Sequence, residues 1–294
     1  MPRTPRVLVV GPVAWNLLVH LDELPQPFPH TDFARRWAEA LGGTSAGKAL
    51  NLRRLGADVV LATLVGDDEA GGRVLARLHE AGVDVLPRRS STGTERHANL
   101  LDPTGRRVSL YLTLAGAPSG GSGDDAAALA ALDAAVAGAD AVVVDLADHS
   151  RRTLRTARGL GRPVWCDLHD YDGRSAFHAE FLDAAENVFV SDDKLDDPEG
   201  FLRAQVAAGK RLVVCTQGAR GAVALERGGD LVRVAAEPVA QVVSTDGAGD
   251  AFFAGFLVAH LGGAPLAECM RRGARSAAAC VRSPELAGEA PAAG

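Results

Sequence analysis

The 294-residue sequence is poor in aromatic residues, 5% of the chain, and has only four cysteines, none of them in a Cys-x-x-Cys pair. A disulfide framework is therefore not indicated, and reduced thiols in a cytoplasmic protein are the simplest interpretation. No apolar run approaches the roughly 18 residues that span a bilayer, so no membrane segment is predicted. There is no basic excess either, and the formal net charge of −6 disfavours nucleic acid as a partner.

What is present is an alternation of short apolar, β-branched runs with amphipathic segments rich in Ala, Leu and Arg. Apolar strands separated by helices are typical of an α/β fold, in which helices cover both faces of a parallel sheet. The predicted strands are 7–10, 59–65, 141–146, 163–168, 187–190 and 211–216. The predicted helices lie near 46–55, 69–81, 125–137, 150–159 and 198–208.

Two segments interrupt this alternation. Residues 13–40 contain three closely spaced prolines, and residues 94–114 have the pattern of two strands joined by the turn Asp102-Pro-Thr-Gly105. A hairpin inserted into an α/β pattern predicts a small β-lid over a site at the sheet edge, and a decorative excursion is the alternative. We expect a single domain over residues 1–290 and a frayed tail over 284–294.

The strongest functional signal is the segment Ser244-Thr-Asp-Gly-Ala-Gly-Asp250, which precedes an apolar helix predicted from Ala251 to about Leu261. Backbone N–H groups at a helix start bind anions, and a phosphoryl group in transfer carries spread negative charge. A carboxylate in the same helical turn, that of Asp250, can accept the proton of an attacking hydroxyl. A capped helix preceded by a glycine turn is the purely structural alternative.

This segment resembles the C-terminal signature of the ribokinase-like (PfkB) family of carbohydrate kinases. Other motifs occur in the family's order, among them Val9-Val-Gly11 followed by Asn16, Gly42-Gly-Thr-Ser-Ala46, and Thr216-Gln-Gly-Ala-Arg-Gly221. The resemblance covers nearly the whole chain. It implies a three-layer α/β/α fold with a mainly parallel central sheet and a small β-lid. It also implies phosphoryl transfer from ATP to a primary hydroxyl of a sugar or related small molecule.

The family pattern further implies a role for each matching residue. Asp250 is expected to be the catalytic base, with the transferring phosphoryl group held by the amides of Gly247, Ala248 and Gly249. The nucleotide-side residues implied are Thr216, Gly218, Gly221 and Thr245. The acceptor-side residues implied are Asn16, Gly42, Gly43, Gly47, Lys48, His97 and Asn99.

Four departures from the family pattern affect the expected site. Gly47 stands where the family usually has Asn, and Asn16 stands where Asp is common. Ser191 and Lys194 occupy the two ends of the usual Asn-x-x-Glu motif near the metal and the phosphates. Ser244 replaces an Asp that accompanies a monovalent cation in family members, which counts against that cation here. Mg²⁺ is still expected, because it accompanies ATP and neutralises phosphate charge.

Several of these residues have a second interpretation. Lys48 could contact the acceptor, or it could be a solvated residue of the helix that follows. His97 and Asn99 alternate along one strand and so share a face, which could look toward substrate or toward water. Asp192 or Asp193 could hold a water molecule of the Mg²⁺ shell or be solvated loop carboxylates, and no direct metal ligand is predicted.

Two other functions remain open at this point. A nucleoside kinase of the same family needs an apolar surface for the base, which Trp15 and Trp37 could supply, although both could be packing residues. A non-catalytic sugar-binding relative would fit the missing Asn-x-x-Glu motif, whereas the carboxylate of Asp250 argues against it. The expected ligands are a sugar or nucleoside acceptor and ATP, and the exposed edge of the lid could pair two subunits into a homodimer.

Overall fold

The structure, a computed structural model, describes residues 3–116, 123–283 and 285–287, which contain two β-sheets. The strands of the larger sheet are β1 (Arg6–Val10), β4 (Asp58–Val65), β5 (Asp84–Arg89), β8 (Ala141–Val144), β9 (Val164–Asp167), β10 (Asn187–Ser191), β11 (Leu212–Thr216), β12 (Ala222–Glu226) and β13 (Leu231–Val234). The strands of the smaller sheet are β2 (Ala14–His20), β3 (Arg36–Gly42), β6 (Arg96–Leu101) and β7 (Arg107–Thr113).

The larger sheet is mainly parallel, as predicted. Its strand order is β13-β12-β11-β10-β9-β8-β1-β4-β5, and every pair from β11 to β5 is parallel. Only β12 and β13, at one edge, run antiparallel to their neighbours. The carboxyl ends of the parallel strands therefore meet along one edge of the sheet, where open α/β sheets bind their ligands.

Helices cover both faces of this sheet, which confirms the three-layer α/β/α fold. One face carries α1 (Thr44–Arg54), α2 (Glu69–Glu80), α7 (Ala248–Leu261) and α8 (Leu266–Cys280). The other carries α3 (Gly123–Gly138), α4 (Arg151–Gly159), α5 (Ala176–Ala184) and α6 (Pro198–Ala207). Successive side chains of β1 point to opposite faces, so the strand contributes to both hydrophobic clusters. Val7 and Val9 pack on the first face, and Leu8 and Val10 pack on the second.

The smaller sheet joins the two segments that the sequence separates from the α/β pattern. Strands β2 and β6 pair in parallel, with Leu17 opposite Ala98, and β3 and β7 add one antiparallel strand on each side. The predicted turn at Asp102 closes the β6–β7 hairpin. Hydrogen bonds from Thr104 and Arg106 lower the pKa of the Asp102 carboxyl to about 2.

Predicted element boundaries differ from the observed ones by no more than two residues, apart from the helix predicted to begin at Ala251. That helix, α7, begins at Ala248 because Gly247 adopts a left-handed conformation (φ 75°) directly before it. The prediction also missed β2, β3, β5 and α5. The mixed polar residues of β3 lie on an exposed sheet. Pro87 lies in β5, where the edge position tolerates a residue without an N–H.

Only residues 285–287 of the predicted frayed tail are described, and the rest lies outside the described residues. Within that part, Leu286 packs against the core and its carbonyl accepts a hydrogen bond of 2.9 Å from Asn51. The single domain over residues 1–290 stays a prediction. Among the described helices, none is long and apolar enough to cross a membrane.

Close packing between α7 and α8 depends on the absence of a side chain at Gly255. A Cβ there would lie 2.3 Å from Ser276 Oγ and 2.6 Å from the Arg272 carbonyl oxygen. We expect Gly255→Ala to lower the free energy of unfolding by about 1–3 kcal/mol, because the two helices must separate. Gly72→Ala on α2 is the control, since its Cβ would meet nothing within 4 Å. Urea denaturation of both variants tests this, and equal stabilities would contradict it.

Candidate active site

A wide cleft separates the carboxyl ends of the parallel strands from the smaller sheet, with a volume of about 2480 Å³. Asp167 and Ser191 lie at the ends of β9 and β10, and both line the cleft. The start of α7 enters it from the helix layer on the first face of the sheet, and Asn16 and Asn99 enter it from the smaller sheet. The cleft therefore brings together residues that the sequence predicts for the nucleotide, phosphoryl and acceptor sides.

The predicted anion site lies at the first turn of α7. Gly247 caps the helix, followed by Ala248, Gly249 and Asp250 at its first three positions. The N–H groups of a first helical turn have no partner within the helix, so they can bind an anion. A side chain at Gly247 would meet the Leu286 carbonyl oxygen at 2.9 Å, in addition to the strain of its left-handed backbone. All four predicted residues therefore share one turn.

Asp250 is held by one of its two carboxylate oxygens. The Lys48 ammonium donates to Oδ1 at 2.8 Å and the Thr44 hydroxyl donates to the same atom at 2.7 Å. Among the described residues, none donates a hydrogen bond to Oδ2. The side chain is only 12% exposed, and burial raises its pKa above the ordinary value, although Lys48 and His169 oppose the shift. An oriented carboxylate with a raised pKa and a free oxygen suits a general base.

Lys48 lies at the centre of a buried charge cluster. Its side chain is fully buried, and its ammonium lies 2.9 Å from Asp145, 3.3 Å from Asp167 and 2.8 Å from Asp250. Burial by itself would lower the pKa of Lys48, but the three carboxylates raise it well above its ordinary value. The interpretation of Lys48 as a solvated helix residue is therefore wrong, and its contact with an acceptor stays a prediction.

The carboxylates around Lys48 come from the ends of neighbouring parallel strands. Asp145 directly follows β8 and accepts a hydrogen bond of 2.7 Å from the Ser45 hydroxyl. Asp167 ends β9. Burial opposes its ionisation, but His169 and Lys48 together lower its pKa to about 2. His169 has a left-handed backbone (φ 52°), which is uncommon for a residue with a side chain. The sequence analysis assigned none of these three residues a role.

Glycine at position 47 makes room for the Asp250 carboxylate. A Cβ at Gly47 would lie 2.5 Å from Asp250 Oδ2 and 3.1 Å from its Cγ. The Asn that the family usually has at this position would therefore collide with Asp250 as it is oriented here. Gly47 does not need to contact the acceptor itself for its substitution to disturb the site.

The acceptor side of the cleft contains buried amide oxygens that lack partners. Among the described residues, none hydrogen-bonds to Oδ1 of Asn16 or of Asn99. The backbone of Gly42 packs directly against the Asn16 side chain. A Cβ at position 42 would lie only 2.0 Å from Nδ2 of Asn16. Gly43 lines the cleft too and has a left-handed backbone (φ 92°). Buried polar atoms are normally paired, so these two oxygens are candidate binding groups for hydroxyl donors.

His97 and Asn99 face the cleft, which makes their interpretation as residues of a water-facing surface wrong. They are 9% and 4% exposed, respectively. The His97 Nε2 atom lies 2.9 Å from the Glu95 carboxylate, and its ring packs 4.0 Å from the ring of Tyr111. Sequence reasoning missed Glu95 and Tyr111, although the alternation that selects His97 and Asn99 also places residue 95 on the same face.

The predicted nucleotide-side residues Thr216, Gly218, Gly221 and Thr245 all line the cleft. Position 221 requires glycine, because its backbone is left-handed (φ 99°) and a Cβ would lie 2.0 Å from the Val234 carbonyl oxygen. Beside Thr245, the Arg107 guanidinium of the β6–β7 hairpin forms an ion pair with Asp246. The hairpin therefore reaches the loop that precedes the anion site.

The loop at 191–194 does not form a metal site by itself. Asp192 is already bound by Arg220 and by Gln217 at 3.1 Å, and Lys194 pairs with Asp170 at 2.6 Å. Asp193 lines the cleft and accepts a hydrogen bond of 2.8 Å from Ser191. Within the described ranges, no group of three or more His, Cys, Asp or Glu side chains could hold a metal ion.

The fold agrees with the solved structures of relatives of this chain. Residues 5–293 match the model of the pfkB family carbohydrate kinases, and the chain belongs to this family. It is 34% identical over 271 residues to an acarbose 7(IV)-phosphotransferase of an Actinoplanes species, covering 91% of this chain and 89% of the relative. The predicted family and enzyme class are therefore confirmed, and the interpretation as a non-catalytic binding protein is not supported.

Two further relatives differ in their acceptors. The structure of a microbiome-derived acarbose kinase, Mak1, aligns with a TM-score of 0.82 and 30% identity, covering 95% of this chain and 93% of the other. A nucleoside kinase of Methanothermobacter thermautotrophicus is 28% identical over 279 residues, covering 90% of this chain and 85% of the relative. Both sugar-like and nucleoside acceptors thus occur among the relatives of this chain.

Substitution of Gly47 tests whether the gap beside Asp250 matters for turnover. We expect Gly47→Ala to reduce kcat/KM by about 100-fold, because the added methyl group displaces the carboxylate by a fraction of an ångström or blocks Oδ2. Gly72→Ala, on the neighbouring helix α2, should leave turnover unchanged. A coupled kinase assay, with circular dichroism to verify folding, measures both variants. Near-normal turnover of a folded Gly47→Ala variant would contradict this interpretation.

Proposed function

We propose that this chain transfers the γ-phosphoryl group of ATP to a primary hydroxyl of a sugar-like acceptor, with Asp250 as the general base. The observation that carries the proposal is the shared helical turn. Asp250, whose Oδ2 accepts no hydrogen bond from the described residues, lines the same cleft as the first-turn residues Gly247, Ala248 and Gly249. A hydroxyl bound between them would meet a proton acceptor and a site for negative charge.

The proposed reaction needs one proton transfer and one displacement. The acceptor hydroxyl loses its proton to Asp250 as its oxygen bonds to the γ-phosphorus. The bond from that phosphorus to the bridging oxygen breaks, and ADP leaves. The amides of Gly247 and Gly249 would hold the transferring group, together with that of Ala248, whose N–H also donates to the Thr245 carbonyl at 3.3 Å. The positive end of the α7 dipole would add to their effect. The charge that develops there is thus stabilised by the backbone.

The nucleotide is proposed to lie along Thr216, Gly218, Gly221 and Thr245, at the end of the cleft nearer β11 and β12. Mg²⁺ would neutralise phosphate charge when bound with ATP. Asp193 is the better candidate for a water-mediated contact to that ion, because Asp192 is already neutralised by Arg220. Ser244 accepts a hydrogen bond of 3.1 Å from the Asp246 N–H, and we do not propose a monovalent cation there.

The acceptor is proposed to bind between Asn16, Asn99 and His97 on the smaller sheet and to contact the Gly42–Gly43 turn. One observation of the structure favours a sugar or an acarbose-like pseudo-oligosaccharide. The unpartnered amide oxygens of Asn16 and Asn99 suit hydroxyl groups. The two acarbose-phosphorylating relatives are in agreement with this choice. The smaller sheet would then act as the lid that excludes water.

A nucleoside acceptor is the second candidate. Trp15 lines the cleft and its ring packs against the Arg73 guanidinium, 5.7 Å from the ring centre, so it offers an aromatic surface for a base. Trp37 is 68% exposed and is not among the residues that line the cleft. It is therefore a poor candidate for base stacking, which makes the nucleoside the less favoured acceptor.

Dimerisation through the smaller sheet and a cytoplasmic location complete the proposal. Strand β7 lies at an edge of that sheet and exposes apolar side chains, including Leu110, Tyr111 and Leu112. An exposed apolar edge favours pairing with a second copy. All four cysteines are buried and none of them is disulfide-bonded, which suits a reducing compartment, where ATP is also abundant.

Substitution of Asp250 tests the proposed base. Asp250→Asn should reduce kcat by about 10²–10⁴-fold, because the amide cannot accept the proton. Its melting temperature should not fall. Since folding raises the pKa of Asp250, this carboxylate stabilises the fold fully only when protonated, and that contribution is lost as the pH rises through the folded-state pKa. A kinase assay and a thermal melt near neutral pH measure both, and near-normal turnover would exclude Asp250 as the base.

A ligand panel tests the acceptor. A ligand that binds only the native state raises its melting temperature, so we expect acarbose or related oligosaccharides to stabilise the protein more than adenosine does. Asn16→Ala should remove this shift, because it deletes an unpartnered amide. Asn187→Ala is the control. Asn187 Oδ1 is equally buried and unpartnered among the described residues, but it lies at the opposite end of β10. A larger shift with adenosine would favour the nucleoside kinase.

A further inference from the structure

The cluster around Lys48 joins two helices and the ends of two strands through one ammonium group. Lys48 belongs to α1, Asp250 to α7, and Asp145 and Asp167 to the ends of β8 and β9. A buried charge is tolerated only when it is paired and hydrogen-bonded, and this one has three anionic neighbours within 3.3 Å. Because the cluster contains more carboxylates than ammonium groups, Lys48 is the main cation that favours the ionised form of Asp250.

The two carboxylate oxygens of Asp250 differ in their hydrogen bonds. Both Lys48 and Thr44 donate to Oδ1, and Lys48 also donates to the Thr44 hydroxyl at 2.5 Å. This closed triangle of hydrogen bonds holds Oδ1 in place. Oδ2 then points toward the gap left by the missing side chain of Gly47. Two neighbouring positions of α1 therefore act on the two oxygens of Asp250. Lys48 clamps Oδ1, and Gly47 leaves the space beside Oδ2.

We propose that Lys48 is a positioning residue that clamps Oδ1 of Asp250, keeps this buried carboxylate ionised, and presents Oδ2 to the acceptor hydroxyl. The proposal rests on the proposed role of Asp250 as the base. Lys48 does not need to touch the substrate in order to act, because its fully buried ammonium is already surrounded by four oxygens of Thr44, Asp145, Asp167 and Asp250.

The charges that face Asp250 determine whether loss of the Lys48 charge raises or lowers the pKa of Asp250. Lys48 and His169 favour its ionised form, and Asp145 opposes it. Asp167 faces Lys48 from the end of β9. The Cys166 thiol next to it is fully buried, and burial raises its pKa well above the ordinary value, so it stays neutral. Removal of the Lys48 charge leaves the carboxylates in mutual repulsion, which raises the pKa of Asp250. The pH at which the base becomes active must then rise.

The test is the pH dependence of kcat/KM for Lys48→Met, measured with ATP and the best acceptor of the ligand panel. Methionine keeps much of the side-chain volume and removes the charge. The acidic limb should move to higher pH by about one unit or more, so that activity lost near neutral pH partly returns at alkaline pH. An equal loss at every pH, or an unchanged profile, would show that Lys48 has only a structural role or none and would overturn the proposal.

Lys210→Met is the matched control. Lys210 is also buried, 9% exposed, but its ammonium contacts backbone carbonyls, those of Leu182, Asp183 and Ala185. Its loss should lower the melting temperature without moving the acidic limb. A comparable shift in this variant would mean that the pH effect follows from general destabilisation, and the proposal would be wrong.

Asp145→Asn provides a second variant whose predicted shift has the opposite sign. It removes a carboxylate that disfavours the ionised form of Asp250 and that competes for Lys48, so the acidic limb should move to lower pH. If Lys48→Met does not fold, the shift of the acidic limb in Asp145→Asn is the test by itself. An unchanged acidic limb in that variant would overturn the proposal. Failure of the proposed function has a different outcome, in which the unsubstituted protein phosphorylates no acceptor.

Discussion

The catalytic end of the cleft depends on the ion pair between Lys48 and Asp250 within a pocket that also buries Asp145 and Asp167. Removal of charges from water is costly, and the cost is offset only when the partners are close and the remaining lone pairs are satisfied. Here one ammonium links the first helix of the chain, the ends of two strands and the helix that carries the proposed base. Loss of Lys48 leaves three buried carboxylates without their shared counter-charge.

Missing side chains define this site as much as present ones do. Gly47 leaves space beside Asp250, Gly42 leaves space beside Asn16, and Gly247 allows the chain to turn into α7. Each of these glycines has a neighbouring atom within 3 Å of where its Cβ would lie. The proposed base, the anion site and the acceptor site are therefore constrained by close approach of backbone to side chain, which explains why glycine recurs at these positions.

The local parts of the site could be predicted from the sequence, and the long-range parts could not. Asp250 and its helical turn form one continuous string, so their proximity is guaranteed by the chain. The contact between Lys48 and Asp250 spans 202 positions and exists only because α1 and α7 pack side by side. A lysine that follows a glycine turn is ordinarily solvated. Asp145 could have been singled out, because it is a carboxylate directly after an apolar strand, but the sequence does not show that Lys48 is its partner.

The central claim is that Oδ2 of Asp250 receives the acceptor proton while Lys48 holds Oδ1. A crystal structure with ADP, an acceptor and a planar mimic of the transferring phosphoryl group tests it most directly. We expect the acceptor hydroxyl within hydrogen-bond distance of Asp250 Oδ2, the mimic against the amides of Gly247–Gly249, and Lys48 still on Oδ1. A complex with the reacting hydroxyl on another side chain, or with Asp250 turned away, would contradict the account.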